Sequence, residues 1–136
     1  MRVAQYDPDD PLNLLTREII SAAIDVHKEL GPGLLESAYE ACMAYELTDR
    51  GLKFERQKPL PVVYHGVKID CGYRLDLLVE DSVVVELKSI EALEKIHSMQ
   101  LLSYLRLCDL AVGLLINFNV PVLTYGVKRV VNKLKE

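Results

Sequence analysis

The stretch YRLDLLVEDSVVVELKS, residues 73–89, decides how this chain folds. Its second half reads as a strand buried on both faces, three valines in a row, yet it ends with Glu86 and Lys88 two residues apart. A strand aims such residues to the same side. YRLDLLV precedes VVVELK across the short link Glu80-Asp81-Ser82, so the two segments form a hairpin whose register is the deciding point. A two-residue loop would set Val79 opposite Ser82 and put Asp76 on the other side of the sheet from Glu86. A three-residue loop pairs Val79 with Val83; counting back then sets Asp76 against Glu86 and Arg74 against Lys88.

In the second register two carboxylates have Cβ atoms roughly 5 Å apart, and like charges directly opposite are destabilising unless something compensates. A divalent cation does so: hard oxygen ligands with waters suit Mg²⁺ or Mn²⁺, and neither His nor Cys is needed. Lys88, one step beyond Glu86 on the same face, would then hold a water or a phosphate oxygen beside the ion. The alternative is a Glu86–Lys88 ion pair on an exposed sheet face with Asp76 at its margin.

Outward from this hairpin, the apolar period changes twice. Leu12, Leu15, Ile19, Ala22, Ala23, Val26 and Leu30 recur at helical spacing and predict a helix over 13–29, ended by Gly31-Pro32-Gly33. A second helix is predicted over 34–50, closed by Gly51. From Lys53 the pattern is β: strands over 54–57, 60–64, 67–79 with an interruption near Gly72, and 83–88, as an antiparallel meander. A helix over 91–107, a covered strand over 110–118 and an edge strand over 122–131 complete the order. The reading is one α/β domain over residues 1–136, with 1–12 and 132–136 as flexible ends, a layer of sheet flanked by helices.

Two helices carry polar groups beside apolar stripes. At about 100° per residue, Glu36 lines up with Tyr39, Met43 and Leu47, and a carboxylate on a buried side needs a partner. Its place in the first turn also favours it through the helix dipole. On the third helix Leu93, His97, Gln100 and Tyr104 share a face beside Leu101, Leu105 and Cys108. Such donors are either satisfied internally or available to a phosphate backbone. His27, near the end of the first helix, reads as a dipole partner.

Composition narrows the function. Sixteen Lys and Arg against twenty Asp and Glu give a net charge of −4, the wrong sign for a protein that coats nucleic acid non-specifically. An enzyme whose acids surround a cation is not excluded. Cys42, Cys71 and Cys108 are far apart, odd in number and set among apolar neighbours, which predicts reduced core residues with no zinc site. The N-terminus MRVAQYDPDD lacks a basic start and a hydrophobic stretch, and no apolar run approaches the roughly 20 residues of a membrane span. A cytoplasmic protein without membrane contact is expected.

With these residues in place the sequence resembles the PD-(D/E)xK nuclease superfamily, and within it the small prokaryotic GxxExxY proteins. The second motif stands as Gly33-Leu34-Leu35-Glu36-Ser37-Ala38-Tyr39, preceded by HKELGP; the superfamily core stands as Asp76 followed by Glu86-Leu87-Lys88; Gln100 and Tyr104 match the Q-x-x-x-Y element of its exonuclease branch. Leu75 replaces the signature proline before Asp76. The likeness runs from about Leu14 to Val131. It implies a restriction-endonuclease-like αβββαβ core with an additional N-terminal helix, and Mg²⁺- or Mn²⁺-dependent hydrolysis of phosphodiesters in nucleic acid, DNA first. Asp76, Glu86 and Glu36 would ligate the ion together with the Leu87 carbonyl. Glu36, Asp76, Glu86 and Lys88 would be the catalytic set, with Lys88 orienting the attacking water, and Gln100, Tyr104 and Tyr39 would position the strand. Two rivals stand beside this: an inactive nucleic-acid- or protein-binding module on the same fold, and a hydrolase of another phosphorylated substrate. A domain this small leaves room for a homodimer or a partner protein to complete the substrate surface.

Overall fold

A computed structural model describes residues 6–133. The first helix, α1, runs Pro11–Leu30: Asp10 caps it by accepting from the Leu12 N–H (2.8 Å), and Pro11 takes the first position, where a missing N–H costs nothing. Its stripe of Ile19, Ala22, Ala23 and Val26 is buried. The chain was expected to be flexible through residue 12, but Asp7 to Asp10 form a capped turn and 11–12 are helical. At the other end Asn132 is buried and its N–H donates to Ala111 (2.7 Å). The same expectation for 1–5 and 134–136 lies outside the described residues. Helix α2, Glu36–Asp49, buries Tyr39, Met43 and Leu47 and starts two residues later than predicted, because the GPGLL loop occupies 31–35.

Five strands make one mixed sheet in the order β1-β4-β5-β6-β7: β1 Phe54–Pro59, β4 Arg74–Val79, β5 Val83–Lys88, β6 Val112–Asn117 and β7 Val127–Val131. Only β5 and β6 are parallel, joined by α3, Lys95–Cys108. The order α2-β1-β4-β5-α3-β6 is the expected αβββαβ core, with α1 added in front. The expected continuous meander is corrected. Strand β1 pairs directly with β4, and between them β2, Val62–Tyr64, and β3, Val67–Ile69, form a separate two-stranded hairpin. Pro59 and Pro61 lack ladder donors, and Gly72 adopts φ 76° in a turn where Asp70 Oδ1 accepts its N–H (2.9 Å); a side chain there would strain the backbone. The last predicted strand likewise begins as a short 3₁₀ turn, Leu123–Gly126, before β7.

Each face of the sheet has its own core. Val83, Val85 and Leu87 of β5 face α1 and α2 with Ile19, Tyr39, Met43 and Leu47, whereas Val84 faces α3 with Leu101 and Leu105. Alternation therefore directs Glu86 and Lys88 toward the α3 side. Two glycines permit close approach. A Cβ on Gly113 of β6 would meet the Leu101 side chain at 2.9 Å, and one on Gly126 would sit 2.1 Å from the Asn117 carbonyl oxygen. Leu101 can rotate, whereas the Asn117 backbone ends the strand that carries the parallel pairing. Gly113→Ala is expected to lower stability by about 1–3 kcal/mol and Gly126→Ala by more. Urea midpoints of the two variants check the order; a Gly126→Ala protein as stable as wild type would mean that the approach is not tight.

Candidate metal centre

The hairpin loop settles the register by an unexpected route. Glu80 and Asp81 adopt φ 51° and 52°, and Ser82 donates its N–H to the Val79 carbonyl (3.0 Å), the bond of a two-residue turn. Ser82 is then one residue more than such a turn needs, and the ladder pairs Val79 with Val83, Leu78 with Val84 and Leu77 with Val85. A tight turn plus one extra residue has the same outcome as the expected three-residue loop, and Asp76 arrives beside Glu86.

There the ladder stops and the strands fork. Instead of an Asp76–Glu86 backbone pair, the Asp76 N–H donates to Glu86 Oε2 (3.3 Å) and the Leu87 N–H donates to Asp76 Oδ2 (2.8 Å). The Lys88 carbonyl accepts from Phe118 on the β6 side (2.9 Å). Bonding directions alternate along a strand, so the Leu87 N–H and carbonyl both face the fork. On its other side Asp76 again lacks a ladder pair: Arg56 pairs with Leu77 and Lys58 with Leu75, while Gln57 between them adopts φ 49°. Leu75 and Leu78 both pack on the α3 side, three residues apart, so strict alternation breaks at Asp76.

Glu86 is 7% exposed, and its carboxyl is pushed up to about 9. Burial is the largest cause, followed by the Asp76 charge and the contact between the two carboxyls; the Asp76 N–H and the Lys88 charge oppose it. Lys88 is half-buried and within electrostatic reach. The Tyr104 phenol is also raised, by burial and then by the charges of Glu86, Tyr73 and Asp76, which places it within electrostatic reach of the same pair. Two carboxyls and a backbone carbonyl facing one opening form a hard-oxygen set suited to a divalent cation that keeps most of its waters. The residues fit such an ion. Among the described residues, however, no three His, Cys, Asp or Glu side chains converge closely enough to hold one by themselves.

That departs from the expected trio, and Glu36 is the reason. As the first residue of α2 it is exposed, not on the buried stripe with Tyr39, and its Oε2 accepts from the Ser89 N–H (3.1 Å), one residue past Lys88. It lines a cleft of about 320 Å³ with Ser37, Glu40, Gln57, Asp76 and Leu87 without joining the pair. Tyr39 is wholly buried, so it cannot touch a substrate. Its hydroxyl donates to Gly31 (2.6 Å) and accepts from the Leu34 N–H (3.1 Å), and its ring stacks on Phe118 at 4.3 Å. With Gly33 at φ 96°, the Gly-Glu-Tyr spacing thus shapes a loop and aims the start of a helix at the end of β5. On α3, His97 Nδ1 accepts from the Glu94 N–H (2.9 Å), which caps the helix at Lys95. Gln100 is exposed and Tyr104 half-buried. His27 bonds to the Val120 carbonyl (2.8 Å).

Two site residues escape a reading by motif. Glu40 is buried and takes Arg56 Nε (3.2 Å) and Nη2 (3.1 Å) together with the Gln57 amide, which also reaches Asp76 Oδ1 at 3.4 Å. Glu40 lies one helical turn beyond Glu36, and that spacing was the available signal. The loop after Lys88 is pinned by buried Asn117, whose Oδ1 accepts from Ile90 (3.1 Å) and whose Nδ2 donates back to it (3.0 Å).

Glu86 gives the metal-free protein a pH dependence. The folded state keeps its proton up to about pH 9, whereas an unfolded glutamate loses it near 4.5. The stabilisation from this proton is therefore complete below the unfolded value and is lost as pH rises toward the folded one. In EDTA, the urea midpoint is expected to fall between about pH 5 and about pH 8, and Glu86→Gln to flatten that fall. Parallel profiles for the two proteins would contradict the assignment.

A comparison with curated proteins finds no match, and neither does one with solved structures. A family model of the PD-(D/E)XK nuclease superfamily, by contrast, matches residues 13–130, from within α1 to the penultimate residue of β7, and so includes the fork, α2, α3 and all but the last residue of the sheet. The chain belongs to the PD-(D/E)XK nuclease superfamily.

Proposed function

We propose that this protein is a divalent-metal-dependent nuclease that hydrolyses phosphodiester bonds, in DNA first, and that it is one of the GxxExxY group on the strength of Gly33, Glu36 and Tyr39. The observation that carries the reading is the fork: Asp76 and Glu86 meet there with the Leu87 backbone turned toward them. In this reading Asp76, Glu86 and the Leu87 carbonyl hold Mg²⁺ or Mn²⁺. A bound ion of this kind polarises a phosphoryl oxygen and lowers the pKa of coordinated water. Lys88 orients the attacking water and offsets charge developing on the phosphate, as a compact point charge beside Glu86. Glu36, through the Ser89 N–H, fixes the strand end that carries Lys88, and is a positioning residue. Gln100 and Tyr104 present donors to the phosphate backbone. The cysteines expected in the core are free, but Cys71 is exposed and Cys42 and Cys108 are only half-buried; a reducing, cytoplasmic setting belongs to this reading, and among the described residues no helix is long and apolar enough to cross a membrane.

One observation favours an inactive binding module instead: both carboxyls accept backbone N–H groups of the neighbouring strand. Calorimetry separates the two. Wild type is expected to bind Mn²⁺ near neutral pH and to release about one proton per ion as Glu86 ionises. Asp76→Ala should lose binding, and Glu86→Gln the proton release. In cleavage assays with Mg²⁺ or Mn²⁺, Lys88→Ala should lower kcat by about 10²–10³-fold with an unchanged circular dichroism spectrum. A wild-type protein that binds no ion and cuts neither DNA nor RNA would sink the nuclease reading.

A further inference from the structure

Tyr73 stands at the root of the β2–β3 hairpin, where the Leu60 N–H donates to its carbonyl (2.9 Å) and fixes the backbone. Its side chain points outward, 44% exposed, with the ring centroid 5.9 Å from that of Tyr104 at 54°. Tyr104 in turn packs on the cluster of Leu75, Leu78 and Val84, on the α3 side of β4 and β5 to which Glu86 is directed. An aromatic pair thus flanks the fork, one ring half-buried and the other open to solvent.

Charge decides what this pair can receive. Proteins that grip a duplex neutralise several phosphates, and those contacts supply most of the affinity. Here two of the cations along these strands are taken: Arg56 by Glu40 and Lys58 by Glu55 (3.0 Å). Arg74 and Lys88 make no ion pair among the described residues. With Arg74 and Lys88 the only cations within two residues of Tyr73, Asp76 or Glu86, a chain of net charge −4 holds a duplex poorly there. Stacking of a base on an aromatic ring contributes about 1–3 kcal/mol without any phosphate neutralisation, but it requires an unpaired base with a free face.

We propose that Tyr73, backed by Tyr104, is a stacking shelf that holds an unpaired base beside the Asp76–Glu86 pair, so that the substrate is single-stranded nucleic acid or a frayed end. This rests on the nuclease reading and adds the form of the substrate. Tyr73 acts as a positioning residue.

The test is binding of the full chain, in Ca²⁺, to a labelled oligothymidylate and to a duplex of equal length, with 2-aminopurine quenching to report ring contact. Wild type is expected to prefer the single strand and to quench the probe. Tyr73→Ala and Tyr73→Leu should each weaken oligothymidylate binding by about 5–100-fold and abolish quenching, as a stacked base is lost. Tyr73→Phe should restore both, and duplex binding should not move. A Tyr73→Leu protein that binds like wild type, or a wild type that prefers the duplex, overturns the shelf. If wild type still cleaves in Mg²⁺ in that case, the nuclease reading survives; if it neither binds nor cleaves, both fall.

Discussion

Where β4 and β5 part, the Leu87 N–H that a ladder would give to a carbonyl goes to the Asp76 carboxylate, and the Asp76 N–H goes to Glu86. The geometry of the fork depends on this exchange. A carboxyl as buried as Glu86 is tolerated only if it is hydrogen-bonded and can shed its charge, and here it does both. A hydrogen bond to a charged carboxylate contributes about 1.5–3 kcal/mol and one to a neutral carboxyl about 0.5–1.5 kcal/mol, so the two together hold the strands apart where backbone pairing has ended. The opening that results is lined on three sides by oxygen atoms, and its walls are core strands.

Much of this was readable from the chain. Strand β5 has the predicted bounds, because VVVELK is apolar until its two charged residues and ends in a loop. The Val79–Val83 register was one of the two that the link allowed, and it is reached through a two-residue turn with Ser82 added. What could not be read was the kink at Asp76. It arises from Gln57 on the neighbouring strand, which adopts a positive φ and reaches across to Glu40 and Asp76. No periodicity within one strand records a distortion imposed by another. The predicted strands 60–64 and 67 onward do pair as the β2–β3 hairpin, and the chain does break at Gly72, but the hairpin's separation from the main sheet was missed: Pro59 and Pro61 on either side of Leu60 withhold ladder donors there.

Tyr39 and His97 illustrate a second limit. Both sit at spacings that suggest a site, and both spend their polar atoms within a few residues of themselves: Tyr39 on Gly31 and Leu34, His97 on Glu94. Helical spacing assigns a face but not a partner, and a loop carbonyl or a free helix-end N–H is often nearer than any substrate. The motif nonetheless bears on function, because the loop that Tyr39 ties down delivers Glu36 to Ser89, next to Lys88.

Counting charges then distinguishes the acids around the cleft. Glu36 and Glu40 lie one turn apart on α2 and meet opposite fates: Glu40 is buried and neutralised by the Arg56 guanidinium, while Glu36 stays in solvent and takes one backbone N–H. Neither needs a cation. Asp76 and Glu86 have no guanidinium within ion-pairing distance among the described residues, only N–H groups and the more distant Lys88 charge, so one of the two must give up its ionised form. A divalent ion would relieve that constraint by letting both ionise, which gives a physical reason to place it at this pair rather than elsewhere in an acidic chain.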